Sequence, residues 1–174
     1  LMEELKKIED KTPLLLYAEA NLLMRSGKND EAEKLLVIRD SFEMDIPFYY
    51  LDYLYAETLS RKLDHRAIIY FRKYEASFRG INYKADALRK IAWMDLIKGD
   101  TSNYLQALKA VQKYSKVQVD ADKQAIYDAE NQIIYHPELL RSRLLFDGGY
   151  YQQAEAVLEA ISPSGFQEKD LIEY

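Results

Sequence analysis

A chain of 174 residues with 30% charged side chains and a net charge of −5 can bury an ordinary core, and it has no basic field to attract phosphate backbones, so nucleic acid is excluded as a natural partner. Cysteine is absent, which removes thiol catalysis, disulfide staples and cysteine-ligated zinc. The longest apolar runs, such as Leu14 to Leu16, fall far short of the roughly 20 residues of a membrane span, so no membrane insertion is expected.

Taken in order, residues 1–10 place Leu1, Leu5 and Ile8 on one side of a short amphipathic helix. Thr12 and Pro13 read as an N-cap and a first helical residue, opening a helix that stops at Gly27. Asn29 and Asp30 are placed to cap a second helix reaching about Phe42. A loop this short makes the two an antiparallel pair. Pro47 opens the next helix, Asp64 caps the one after, and Gly80 closes that pair. Tyr83 to Gly99 is the central helix. On its wheel Leu88, Ile91, Ala92 and Leu96 form a packing face, while Asp86, Arg89, Lys90, Trp93 and Ile97 share a second face expected to meet something outside.

Asp100, Thr101 or Ser102 caps a helix through about Lys116. Asp120 starts a further amphipathic stretch that runs into His136 and Pro137; it is either an inserted helix or the first part of a long helix kinked at Pro137. Residues 137–147 then form a helix ending at Gly148 and Gly149, and 150–161 return as its partner. Ser162 to Gly165 is a turn, and 167–174 begin another helix. No stretch alternates with a period of two. The pattern predicts one continuous all-α domain over residues 1–174, and the start at Leu1 rather than Met predicts a piece of a longer chain.

Small residues recur at constant offsets, Ala20 to Ala32 and Ser142 to Ala154, as two closely crossing helices require. Ala67 follows Ala32 at close to the roughly 34-residue spacing of a helix-turn-helix repeat. Leu16, Ala20, Leu23, Gly27, Ala32 and Leu36 set a pattern that returns as Leu51, Leu54, Ala67 and Phe71, and again as Leu145, Gly149, Ala154 and Leu158. This layout resembles the tetratricopeptide repeat family over most of residues 12–161, with degenerate repeats that lack the family's usual tryptophan and closing proline. The stretches around residues 79–100 and 136–151 are also similar to longer bacterial members of the Bacteroidetes type.

The resemblance implies a right-handed α-solenoid of about four antiparallel hairpins with a concave groove lined by the first helix of each pair. Carried over position by position, it implies a partner-binding row of Tyr17, Asn21 and Arg25; then Tyr49, Asp52, Tyr53 and Ala56; then Asp86, Arg89, Lys90 and Trp93; then Leu139, Arg143 and Phe146. Aromatic side chains interleaved with Arg and Asn suit a peptide or protein segment. One subgroup of the family clamps a C-terminal carboxylate with Lys, Arg and Asn. Here Tyr17 stands where that clamp needs its first-helix lysine, so the clamp is not implied.

No catalytic centre is legible. His65 and His136 each begin a helix without a second histidine at metal-binding spacing, Gly27-Lys28-Asn29 lacks the rest of a phosphate loop, and the acids are scattered over helix surfaces. The expectation is a non-catalytic interaction scaffold with no cofactor and no metal, binding a protein or peptide. The alternatives are a glycan- or small-ligand-binding helical protein, in which the tyrosines and Trp93 stack on sugar rings, and a scaffold that self-associates through open solenoid ends.

Overall fold

The computed structural model describes residues 12–41 and 49–161. The helices expected over 1–10 and 167–174, the turn at 162–165, and the expected roles of Phe42 and Pro47 lie outside the described residues. Within them the chain forms nine α-helices, one 3-10 turn and no strand. These are α1 (Pro13–Arg25), α2 (Asn29–Leu36) with the 3-10 turn Val37–Ser41, α3 (Tyr50–Arg61), α4 (Ala67–Ser77), α5 (Lys84–Ile97), α6 (Thr101–Val111), α7 (Asp120–Glu130), α8 (Pro137–Asp147) and α9 (Tyr151–Glu159).

Local chemistry accounts for most boundaries. Thr12 Oγ1 accepts the Leu15 N–H at 3.3 Å and Pro13 follows as the first helical residue. Asp100 caps α6 by accepting the Asn103 N–H at 3.0 Å. The stretch after Asp120 is a separate helix, because α7 ends at Glu130 and α8 begins only at Pro137. The cap expected from Asn29 is corrected: α2 begins at Asn29 itself, whose buried side-chain amide donates instead to the Thr58 carbonyl at 2.7 Å and to Tyr150 Oη at 3.2 Å. Packing against α3 outweighs a local cap there.

Five helices end in one and the same turn. After α1, α3, α5, α7 and α8 a residue with positive φ (Gly27, Leu63, Gly99, Gln132, Gly149) lets the next N–H reach back to a carbonyl five residues earlier, each at 2.9 Å. This is the left-handed stop that satisfies the last carbonyls of a helix. Glycine marks three of these stops in the sequence, and Leu63 and Gln132 leave no such mark.

Every consecutive pair of helices except α7 and α8 packs together, and Ala20, Ala32, Ala67 and Ala92 are fully buried where the axes approach. Further contacts bring distant parts together. Helix α7 lies on α5 and α6, and α8 lies on α3 and α5. The α8–α9 turn meets the α1–α2 turn so closely that a Cβ on Gly149 would overlap the Gly27 carbonyl. Arg61 Nη1 bridges the two turns, donating to the Met24 carbonyl at 3.2 Å and the Asp147 carbonyl at 3.1 Å, while Tyr150 donates to Asp30 at 2.5 Å.

Candidate functional site

Helices α1, α3 and α5 bring six of the fourteen residues of the expected row to one small polar cavity of about 210 Å³: Tyr17, Asn21, Tyr53, Asp86, Arg89 and Lys90. Its charges are organised by Asp86, which is fully buried and accepts from the Tyr53 hydroxyl and from the Arg89 guanidinium. Arg89 also reaches Asp128 of α7 at 3.4 Å, and Lys90 pairs with Glu57 of α3 at 2.5 Å. Asp128 accepts further from Gln124 and from the Tyr135 hydroxyl, both at 2.9 Å. Buried acids and bases are thus matched inside the protein, as the cost of desolvating a charge demands.

Protonation follows from this enclosure. Burial first, and then the Asp86 charge, push the Tyr53 hydroxyl well above the ordinary tyrosine range. Desolvation opposes the charge on Arg89, yet Asp86 and Asp128 outweigh it and hold the guanidinium more firmly protonated than usual. Burial raises the Asp122 carboxyl, although it caps α5 from α7 by accepting the Tyr83 N–H at 2.6 Å and the Asp86 N–H at 2.8 Å. That cap comes from a residue far along the chain, so no pattern local to α5 announces it.

The outward face expected on the central helix is corrected. Asp86, Arg89, Trp93 and Ile97 are all buried, with Arg89 and Trp93 each only 7% exposed. The cause is the cover provided by α7, α8 and the segment between them. Tyr135 meets the Trp93 indole edge-on at 5.6 Å, Arg89 and Lys90 lie against the same indole at 4.7 and 5.5 Å, and Arg141 of α8 donates to the Ile97 carbonyl at 3.1 Å. Tyr50 is likewise packed inward, its ring touching those of Tyr17, Tyr74, Phe78 and Tyr83.

The other expected residues fall elsewhere. Asp52 faces away from the cavity and pairs with Arg39 at 3.2 Å and Lys73 at 3.1 Å. Arg25 is exposed at the end of α1. Arg143 belongs to a second and larger depression, an apolar cleft of about 750 Å³ between α8 and α9. Leu139 and Ala154 form its buried floor, and the Ser142 hydroxyl, donating to the Ala154 carbonyl at 3.0 Å, pins the two helices together beneath it. Phe146 and Tyr151 stand at its rim, 61% and 55% exposed, their rings 5.1 Å apart and tilted by 64°. Leu139, Arg143 and Phe146 were in the expected row, whereas Tyr151 and Glu155 were not. They sit on a second helix, and only the close α8–α9 crossing turns them toward Phe146.

Among the described residues no group of three or more His, Cys, Asp or Glu side chains could hold a metal ion, and no helix is long and apolar enough to cross a membrane. Comparison with protein-family models, with curated proteins and with solved structures finds no match in any of the three.

Proposed function

We propose that the chain is a non-catalytic protein-interaction module of the tetratricopeptide-like, solenoid-forming class, and that it engages a protein segment through the cleft between α8 and α9. The observation that carries this reading is the pair of large, mostly exposed rings, Phe146 and Tyr151, over an apolar floor at the edge of an otherwise well-packed helical body. An open apolar cleft with a few charges at its rim is the form in which an amphipathic helix is commonly received. Arg143 stands on the α8 side and Glu155 and Glu159 on the α9 side, so the fitting segment has apolar anchors one helical turn apart and a basic flank toward α9. The identical stop after the first helix of all four pairs, α1, α3, α5 and α8, supports the repeat reading.

Because Arg89 and Trp93 are interior, the test belongs at Phe146. A photoreactive phenylalanine analogue at position 146 should capture a discrete partner through such a segment, whereas the same group at Leu105, exposed on α6, should not. Equal capture at both positions, or none at 146, would refute the assignment of the cleft.

A further inference from the structure

The polar cavity between α1, α3 and α5 carries a function of its own, independent of the α8–α9 cleft. Its wall holds two acids, Glu57 and Asp86, and two bases, Arg89 and Lys90. Each charge is already opposed. Asp86 accepts from Arg89, and Glu57 lies 2.5 Å from Lys90 Nζ and 4.0 Å from Arg61 Nη2. An ion entering the cavity would be drawn to one member of each pair and repelled by the other, while losing its own hydration. A neutral ligand escapes that cost.

Hydrogen-bonding capacity, by contrast, is left over. The Lys90 ammonium is a three-proton donor with one short bond, to Glu57. Asn21 donates its Nδ2 to the Tyr17 carbonyl at 2.9 Å, while its Oδ1 and the Tyr83 hydroxyl have no partner among the described residues. Tyr83 is also held at a φ of +60°, a left-handed backbone that is costly for a bulky residue and that glycine would adopt freely. Asp122 fixes its N–H at 2.6 Å, and its ring stands 4.9 Å from that of Tyr53 at the cavity wall. Strain of this kind collects where a side chain is presented to a ligand. The space of about 210 Å³ is smaller than the about 300–1,000 Å³ of sites for drug-sized molecules, so the ligand is a single small ring. A pyranose carries hydroxyls around its edge and, on its faces, C–H bonds polarised by neighbouring oxygens. Those faces suit the negative face of a tyrosine ring.

We propose that the cavity between α1, α3 and α5 binds one neutral hexopyranose, with Asn21, Glu57 and Lys90 hydrogen-bonded to its hydroxyls and Tyr83 against its ring.

Titration of D-glucose, D-galactose and D-mannose into the isotope-labelled full chain, followed by amide NMR, tests it. At least one of these sugars should give saturable shifts of the Asn21 side-chain amide and of the Tyr83 and Lys90 backbone amides, with α9 amides unmoved. Asn21→Ala should weaken that binding at least about tenfold. It deletes only a bond to a carbonyl of the same helix, so folding is not at stake. Tyr83→Gly should weaken binding to a similar extent while relieving the left-handed backbone. Butylammonium and acetate should give no saturable shift. Failure of every sugar to saturate would overturn the proposal, as would sugar binding that survives both substitutions. Saturable binding of butylammonium without the sugars would make the cavity a cation site and overturn it equally. Partner capture at position 146 is unaffected by any of these outcomes, so the cleft and the cavity stand or fall separately.

Discussion

Gly149→Ala and Gly99→Ala impose the same backbone demand in opposite surroundings. Both glycines are left-handed, with φ of +82° and +86°, and an L-residue there costs about 1–2 kcal/mol. Alanine recovers about 0.4–1 kcal/mol of that by restricting the unfolded chain, so strain alone predicts a loss of about 1 kcal/mol at each. Around Gly99 an added Cβ meets nothing within 4 Å, and the loss should stop there. At Gly149 the new methyl would overlap the Gly27 carbonyl oxygen and lie 2.6 Å from its carbon and 2.9 Å from its Cα. Backbone cannot rotate aside as a flexible side chain does, so the α8–α9 turn must lift from the α1–α2 turn. Overpacking of this kind adds about 1–3 kcal/mol, for a total of about 2–4 kcal/mol. Urea unfolding followed by circular dichroism, with stability from linear extrapolation, measures both variants. The expected result is a Gly149→Ala loss exceeding that of Gly99→Ala by at least about 1 kcal/mol. Equal losses would refute the close turn-to-turn contact, and with it the account of how the last hairpin is held.

Asp86→Ala should cost about 3–5 kcal/mol, because it leaves the Tyr53 hydroxyl and much of the Arg89 charge buried without their partner; a loss under about 1 kcal/mol in urea unfolding would mean that the network is open to water. Gln132→Gly should raise stability by about 0.5–1 kcal/mol, since the exposed Gln132 side chain sits on a φ of +50° that glycine adopts freely; an unchanged urea midpoint would count against strain at that stop. Alkaline pH should unfold the protein. Burial raises the hydroxyls of Tyr104 and Tyr150 to about 12 and that of Tyr74 further still, whereas unfolded tyrosines ionise near about 10. The folded state then holds more protons, so this stability is intact below about pH 10 and is lost as pH climbs toward 12. Tyrosinate absorbance and helicity should change together, and ionisation of all tyrosines near pH 10 with helicity unaltered would refute it.

Periodicity and local stop signals determine the helical class and most of the element order. Thr12-Pro13, Gly27, Asp100, Gly99 and Gly149 act on backbone groups within a few residues, so their effect is visible in the string itself. The fully buried alanines are legible for a related reason: a close helix crossing admits only a small side chain, whichever helix arrives. The cavity was partly legible because Tyr17, Asn21, Tyr53, Arg89 and Lys90, placed in one expected row by the resemblance to helical repeats, line it together.

Tertiary structure alone decided which side of α5 meets water. Asp86, Arg89 and Trp93 look solvent-facing on a wheel because charge normally stays hydrated, and here Asp128 and Tyr135 arrive from far along the chain to pair with Arg89 and cover Trp93. It likewise decided that Asn29 serves α3 and the last hairpin rather than its own helix, and that Tyr151 joins Phe146 at the cleft. Periodicity reports how a segment's residues share faces, but not which distant segment will cover a face or match its charges. Burial of charge is set by partners in space, and those partners exist only once the chain has folded.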